Sequence, residues 1–185
     1  VTSNVIEVAK CLRVIGRAGA GVDNIDQEAA TRKGVVIMNI PGGNSISVAE
    51  HAFALMLSLA RKIPFADTSL RSGNWNKSSL VGQELQNKTL GLVGLGKIGS
   101  IMAQRAPSFQ LKVLAYDPFV SEDYTRDLGV ELRSLEEVLS EADFVSLHAP
   151  LNEKTKGIIC KDTLQLMKKG AFLINAARGE LVVEE

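Results

Sequence analysis

Charge of one sign is not in excess: Lys and Arg number 21, and so do Asp and Glu. That balance leaves no net pull toward nucleic acid or an anionic membrane surface, although local patches stay open. Cysteine is nearly missing. Cys11 and Cys160 lie far apart without a C-x-x-C spacing, and no secretory leader is evident, so two reduced, buried thiols in a cytoplasmic protein are expected, with no metal site. No apolar run reaches the ~18 residues that a membrane-spanning helix needs. The most apolar stretch, 48–63, carries Glu50, His51, Arg61 and Lys62 and reads as a buried helix. Histidine is limited to His51 and His148, and repeats or low-complexity segments are absent.

What is present is a glycine pattern in a telling place. Thr89 to Val93 reads as a strand, and Gly94, Gly96 and Gly99 follow it with the G-x-G-x-x-G spacing as a helix opens. In that spacing the first glycine makes the turn, the second admits a phosphate oxygen against the backbone, and the third lets helix and strand approach. The opening N–H groups of the helix then face a pyrophosphate. Glycines alone would also suit any tight packed turn, so the context has to decide. It does so at a second strand, 111–116, which ends in Asp117 about 20 residues beyond the turn, where an acid accepts ribose hydroxyls. A carboxylate there repels a 2′-phosphate, so the expected ligand is NAD and not NADP.

The rest of the chain alternates helix and strand. Thr2 to Asn4 caps a short helix through Lys10, and Leu12 to Ile15 is a strand. Asp23 or Asn24 caps the next helix, which ends at Gly34 before the strand 35–38. Pro41 to Asn44 then punctuates the chain, and a helix capped by Ser45 or Ser47 runs to Ile63, with Ser47 and Glu50 spaced as a capping box. It is apolar nearly all round and needs cover on more than one face, from a monomeric core, a domain junction or a dimer contact. Pro64 starts another helix. After Asp117 come a helix closed by Gly129, a short strand 130–132, a helix opened by Ser134 and Glu137, the apolar strand 144–147, a helix around 162–169, and a last strand 171–175.

This order predicts an α/β protein with a Rossmann-type doubly wound parallel sheet, plus a fragment of a second α/β domain at the N-terminus. The boundaries expected are 1–41 for a partial substrate-binding domain and 42–185 for the dinucleotide-binding domain, with both chain ends cut. Ligands of such sheets lie outside the carboxyl ends of the strands. Asp117, His148-Ala149-Pro150 and Ala176-Ala177-Arg178-Gly179 occupy those ends. Arg178 directly follows a buried strand, where a guanidinium fork would hold a carboxylate, or alternatively would pair with a surface acid.

Taken together, 16–24, 41–50, 94–99, His148-Ala149-Pro150 and 175–179 resemble the D-2-hydroxyacid dehydrogenase family over essentially the whole chain. The resemblance implies oxidation of a D-2-hydroxy acid with NAD, with 3-phosphoglycerate, at the entry to serine synthesis, as the expected substrate. It makes Arg178 the catalytic arginine that orients the 2-hydroxy or 2-keto acid, and Asp117 the holder of the adenosine ribose. Lys97 and Ile98 match the pair whose backbone holds the pyrophosphate between Gly96 and Gly99. His148, Ala149, Pro150 and Thr155 line the adenine side, while Ala176 and Ala177 lie beside the nicotinamide. Ala20 contacts cofactor, and Arg17, Gly19 and Asn44 approach substrate. Similar enzymes carry Arg at position 97 and hydroxyl residues at 20 and 149, so the lost hydrogen bonds, about 1 kcal/mol each, would weaken NAD binding here.

The resemblance also implies that the Glu–His proton-transfer pair lies beyond the arginine motif, outside this chain. His51 is expected to be packed or at an interface, and neither histidine is assigned as the base. The partners implied are a small 2-hydroxy or 2-keto acid and further copies of the chain, as a homodimer or homotetramer, with no nucleic acid and no membrane. Glyoxylate or hydroxypyruvate reduction and an NAD-sensing, corepressor-like binding protein remain the alternatives.

Overall fold

The computed structural model describes residues 1–184, and the chain divides into two compact units, Val1–Ile46 and Ser47–Glu185. In the first unit, helices α1 (Ser3–Val8) and α2 (Gln27–Arg32) accompany strands β1 (Val14–Gly16) and β2 (Val36–Met38). The strands pair in parallel, Val14 opposite Val36. Their core is small: Ile6, Ala29, Ala30 and Val35 are its buried members. Asp26 caps α2 by accepting from the Ala29 N–H at 2.9 Å, where Asp23 or Asn24 was expected. Asn24 instead accepts a hydrogen bond from the Arg17 guanidinium.

The second unit is built on five parallel strands: β3 (Thr89–Val93), β4 (Lys112–Tyr116), β5 (Glu131–Leu132), β6 (Phe144–Leu147) and β7 (Phe172–Asn175). Their order is β5-β4-β3-β6-β7. The chain leaves β3 toward one edge, then returns across it to build the other, so the order reverses between β3 and β6. Burial follows from alternation along the strands. Leu90, Leu92, Val113, Ala115 and Phe144 join one core with α3 (Ser45–Ala60) and α5 (Lys97–Arg105). Val93, Val145 and Leu147 join the opposite core, which takes Leu139 from α7 (Leu135–Glu141). Each fully buried Leu or Phe contributes about 1.5–3 kcal/mol relative to exposure. Gly91 lets α7 sit close, because a Cβ there would lie 2.7 Å from Val138 Cγ1.

Three local expectations are corrected. Helix α3 opens at Ser45, so Ser47 lies inside it and forms no capping box; Glu50 pairs with Arg105 at 3.1 Å instead. It ends at Ala60, and α4 (Ile63–Arg71) follows a left-handed Lys62 at φ 55°. Within α3, Ala49, Ala52, Phe53, Met56 and Ala60 are buried in this chain, while Leu59 and His51 are exposed. The thiols are not buried either, since Cys11 is exposed and Cys160 half-buried at the start of α8 (Lys161–Leu166). By contrast, Ser134 and Glu137 form the reciprocal capping box of α7. Among the described residues no helix is long and apolar enough to cross a membrane.

Candidate functional site

The reversal of strand order opens a crevice at the carboxyl ends of β3 and β6, and each glycine of the turn there answers a separate demand. Gly94 has φ +97°, and a Cβ on it would lie 2.8 Å from Ala149 N and from the His148 carbonyl carbon. Its N–H donates to Tyr116 O at 2.8 Å, which locks the turn to β4. At Gly99 a Cβ would stand 2.2 Å from Gly94 O, so α5 cannot approach the turn with any side chain there. Gly96 differs from both. Its φ of −69° is open to every residue and a Cβ would meet nothing within 4 Å. Neither conformation nor internal packing requires glycine at that position. The absent side chain leaves backbone open to a group outside the chain, as a phosphate at a helix N-terminus requires. Lys97 is exposed and Ile98 half-buried in the first turn of α5.

Asp117 ends β4 and ties the site together. Its Oδ2 accepts from Leu95 N in the glycine turn at 2.8 Å, and its Oδ1 accepts from Phe119 N at 2.9 Å. Each oxygen keeps further acceptor capacity for a ribose hydroxyl. Around it lies a cavity of about 390 Å³, lined by Gly94, Gly96, Asp117, His148, Pro150 and Thr155 among others. That size suits a small-molecule ligand. A larger depression of about 730 Å³ beside Gly157 and Val183 includes neither the glycine turn nor a strand-end carboxylate in its lining.

The β6 end supplies the opposite wall. His148 Nε2 is 3.0 Å from the hydroxyl of Ser146, the residue two before it and so on the same side of the strand. Its Nδ1 is buried without a hydrogen-bond partner. Burial pushes the imidazole pKa down to about 4, so the ring is neutral at physiological pH. Ala149 is buried and Pro150 exposed. Thr155 lines the cavity, yet its hydroxyl is already engaged, donating to Pro150 O at 2.5 Å and accepting from Asn152 N at 2.9 Å.

On the same sheet edge, β7 ends in an Asx-type turn. Asn175 Oδ1 accepts from Ala177 N at 3.1 Å and its Nδ2 donates to Arg178 O at 2.8 Å. This folds Ala176, Ala177 and Arg178, all half-buried, back over the strand end. Arg178 Nη1 donates to Ala177 O at 2.9 Å. A guanidinium at a sheet edge has the planar fork that matches a carboxylate.

Residues 53–185 match the model of the D-isomer specific 2-hydroxyacid dehydrogenase NAD-binding domain. The chain belongs to that family. Its cofactor is NAD, in keeping with the open backbone at Gly96 and the carboxylate at Asp117. The chain is 49% identical over 184 residues to D-3-phosphoglycerate dehydrogenase of Bacillus subtilis, covering 100% of the chain and 35% of that protein. The enzyme of the same name from Archaeoglobus fulgidus is 48% identical, with the same coverage. The chain thus spans about a third of the length of these relatives. Among solved structures, D-lactate dehydrogenase from Aquifex aeolicus, complexed with NAD and lactic acid, superposes with a TM-score of 0.89 at 36% identity, covering 98% of this chain and 55% of that one. NAD-dependent formate dehydrogenase from Staphylococcus aureus in complex with NAD gives 0.91 at 35% identity, with coverage of 98% and 55%.

The first unit holds the other expected residues. Arg17, Gly19 and Ala20 form a loop after β1, in which Gly19 N donates to Arg17 O at 2.9 Å and Asn39 Nδ2 donates to Ala20 O at 2.6 Å. A Cβ at Gly19 would stand 3.3 Å from Arg17 Nε, so the glycine leaves room for the guanidinium. Asn44 is exposed just before α3. The structure brings Gly94, Gly96, Asp117, His148, Ala149, Pro150 and Thr155 to one cavity. It leaves Arg17, Gly19, Ala20 and Asn44 in the separate unit. The sequence reading missed Asn175 as the side chain that sets Arg178, although an Asn at a strand end followed by small residues signals an Asx turn. It also missed Tyr116, Phe119, Asn152, Lys154 and Ile158 as cavity lining, because a loop's facing is not encoded in local periodicity.

Proposed function

We propose that the protein containing this chain oxidises a D-2-hydroxy acid with NAD, and that its substrate is 3-phosphoglycerate, giving 3-phosphohydroxypyruvate. The observation that carries the reading is the Asp117 carboxylate, hydrogen-bonded to the glycine turn at the mouth of the cavity, on the same sheet edge as an Asn175-held Arg178. The near-half identity to two D-3-phosphoglycerate dehydrogenases supports this choice of substrate. In this reading the backbone of Gly94, Gly96, Lys97, Ile98 and Gly99 holds the pyrophosphate and Asp117 the adenosine ribose. His148, Ala149, Pro150 and Thr155 wall the adenine side, and Ala176 and Ala177 flank the nicotinamide.

Bound NAD supplies the hydride acceptor for C2 of the substrate. Arg178 orients the substrate carboxylate and stabilises charge on the C2 oxygen. Within the first unit, Arg17, Gly19 and Asn44 are the residues assigned to substrate and Ala20 to cofactor, with Arg17 as the cation for an anionic group. The hydroxyl proton goes to a base outside the stretch Val1–Glu185. His148 is unsuited to that role, because its Nε2 is engaged by Ser146 and burial holds its basicity low. Copies of the whole protein assemble as a cytoplasmic homodimer or homotetramer through the apolar stretch 48–63, in which Leu59 and Ile63 are exposed. Light scattering that finds only monomer at micromolar concentration removes the assembly.

The activity is tested on the full-length protein by following NADH absorbance with 3-phosphoglycerate, D-lactate and D-glycerate. Turnover of 3-phosphoglycerate in preference to the others is expected, and Arg178→Lys is expected to lower kcat at least about a hundredfold. No NADH with any of the three acids overturns the reading.

A further inference from the structure

Phe119 is the most exposed large hydrophobic side chain among the described residues, at 86%. One exposed apolar side chain is ordinary and carries nothing alone. Its setting is what distinguishes it. Phe119 lines the cavity that holds Asp117, His148 and Pro150. Together with Gly96 it also lines a neighbouring depression bounded by Lys97, Ser121 and Tyr124. It therefore stands on the ridge between the two. Its N–H donates to Asp117 Oδ1 at 2.9 Å, while Asp117 Oδ2 accepts from Leu95 N at 2.8 Å. Glycine turn, carboxylate and Phe119 backbone are one hydrogen-bonded unit, and the ring projects from it.

The rest of the cavity explains why a ring at this place matters. The lining that β6 and the loop after it contribute includes an apolar surface of Ala149, Pro150 and Ile158 beside the polar His148, Asn152, Lys154 and Thr155. Tyr116, the other aromatic residue in the lining, is half-buried and packs into the core on one side of the sheet. A planar nucleobase bound beside Asp117 has two π faces, and an apolar wall of this kind covers one of them. The second face would stay in water unless something on the rim covers it. Phe119 is the aromatic group on that rim, and its backbone position is set by the carboxylate that takes the adjoining ribose.

We propose that Phe119 stacks on the adenine of bound NAD and closes the cavity over the base, so that Asp117 and Phe119 read the adenosine as a pair. The proposal rests on Asp117 holding the adenosine ribose and deepens that reading. Stacking of a base on an aromatic side chain tolerates substitution by another aromatic ring but not by an aliphatic one.

The test is calorimetric titration of the chain with NAD and with ADP, beside Phe119→Ala, Phe119→Leu, Phe119→Trp and Asp117→Ala, together with proton NMR of the bound adenine. Phe119→Ala is expected to raise Kd for both ligands about tenfold (about 1.4 kcal/mol). Phe119→Trp restores affinity and Phe119→Leu does not. Adenine H2 and H8 move upfield on binding to the parent and to Phe119→Trp, and this ring-current shift disappears with Ala and Leu. Thermal melting stays unchanged in all three Phe119 variants, since the ring is exposed. If Phe119→Ala binds ADP as the parent does while Asp117→Ala binds it more weakly, stacking is overturned and the dinucleotide site stands. Equal affinity of the Leu variant and the parent, without an upfield shift, likewise overturns it. A parent chain that binds neither NAD nor ADP overturns the stacking and the ribose reading together.

Discussion

Gly96 and Gly99 share one turn of backbone but are glycine for unrelated reasons, and the two can be separated by experiment. A methyl group at Gly99 would meet Gly94 O at 2.2 Å, whereas at Gly96 it would meet nothing within 4 Å. Gly99→Ala is therefore expected to cost about 1–3 kcal/mol of stability by overpacking. Gly96→Ala should stay within about 0.5 kcal/mol in a thermal melt while weakening NAD binding in a calorimetric titration. Equal losses of stability would sink the distinction. His148 gives a second measurable consequence. Its folded pKa lies below the ordinary value of 6.5, at about 4, so the unfolded chain takes up the proton first. The stability due to the neutral ring is complete above pH about 6.5 and is lost as pH falls toward about 4, by up to roughly 3 kcal/mol. Urea unfolding across that window should show a shallower loss for His148→Gln than for the parent, and parallel curves would refute the assignment. At this scale the placement of the glycines and Asp117 at one cavity was legible in the sequence, because their spacing along the chain is itself the signal. Asn24 beside Arg17 and Asn175 beneath Arg178 were not read, because their parts are played through loop hydrogen bonds.

Capping boxes show how far a local pattern carries. Ser134 with Glu137 and Ser47 with Glu50 have the same spacing, yet the first pair caps α7 and the second lies within α3. The turn through Gly42 and Gly43 starts α3 earlier, at a buried Ser45, and Glu50 reaches Arg105. Ser134→Ala should then cost about 1 kcal/mol, and Ser47→Ala less than about 0.5 kcal/mol, as read from denaturant midpoints. A larger loss at Ser47 would place the helix start at Ser47 after all. The strands were legible for a different reason. β6 is buried at all four positions, and a run that is apolar except for Ser146 records that directly. Strand edges shifted by a residue or two because propensity changes gradually where hydrogen bonding stops.

Alternation of helix and strand made the doubly wound sheet legible at the scale of the whole molecule, since parallel neighbours need crossovers and crossovers are right-handed. Alternation alone does not give the pairing of β3 with β6. That pairing joins backbone from opposite halves of the second unit, with Asp143 accepting from Thr89 N across 54 residues of chain. The first unit buries four core residues, Ile6 on α1, Ala29 and Ala30 on α2, and Val35 just before β2, and its two short strands add no fully buried residue, so it has little apolar surface of its own. Gly94 against the His148–Ala149 backbone also constrains how quickly the site can come into being. β3 and β4 are close in sequence and their pairing closes a short loop, but the crevice does not exist until β6 returns across a far longer one, which is a slow kind of event. A chain that has reached only the β3-β4-β5 stage holds the glycine turn and Asp117 but no opposite wall. NAD should therefore slow unfolding, in proportion to its occupancy of the native state, and leave the refolding rate unchanged in stopped-flow experiments. A refolding rate that climbs with NAD concentration would mean that the nucleus already contains the β3–β6 seam.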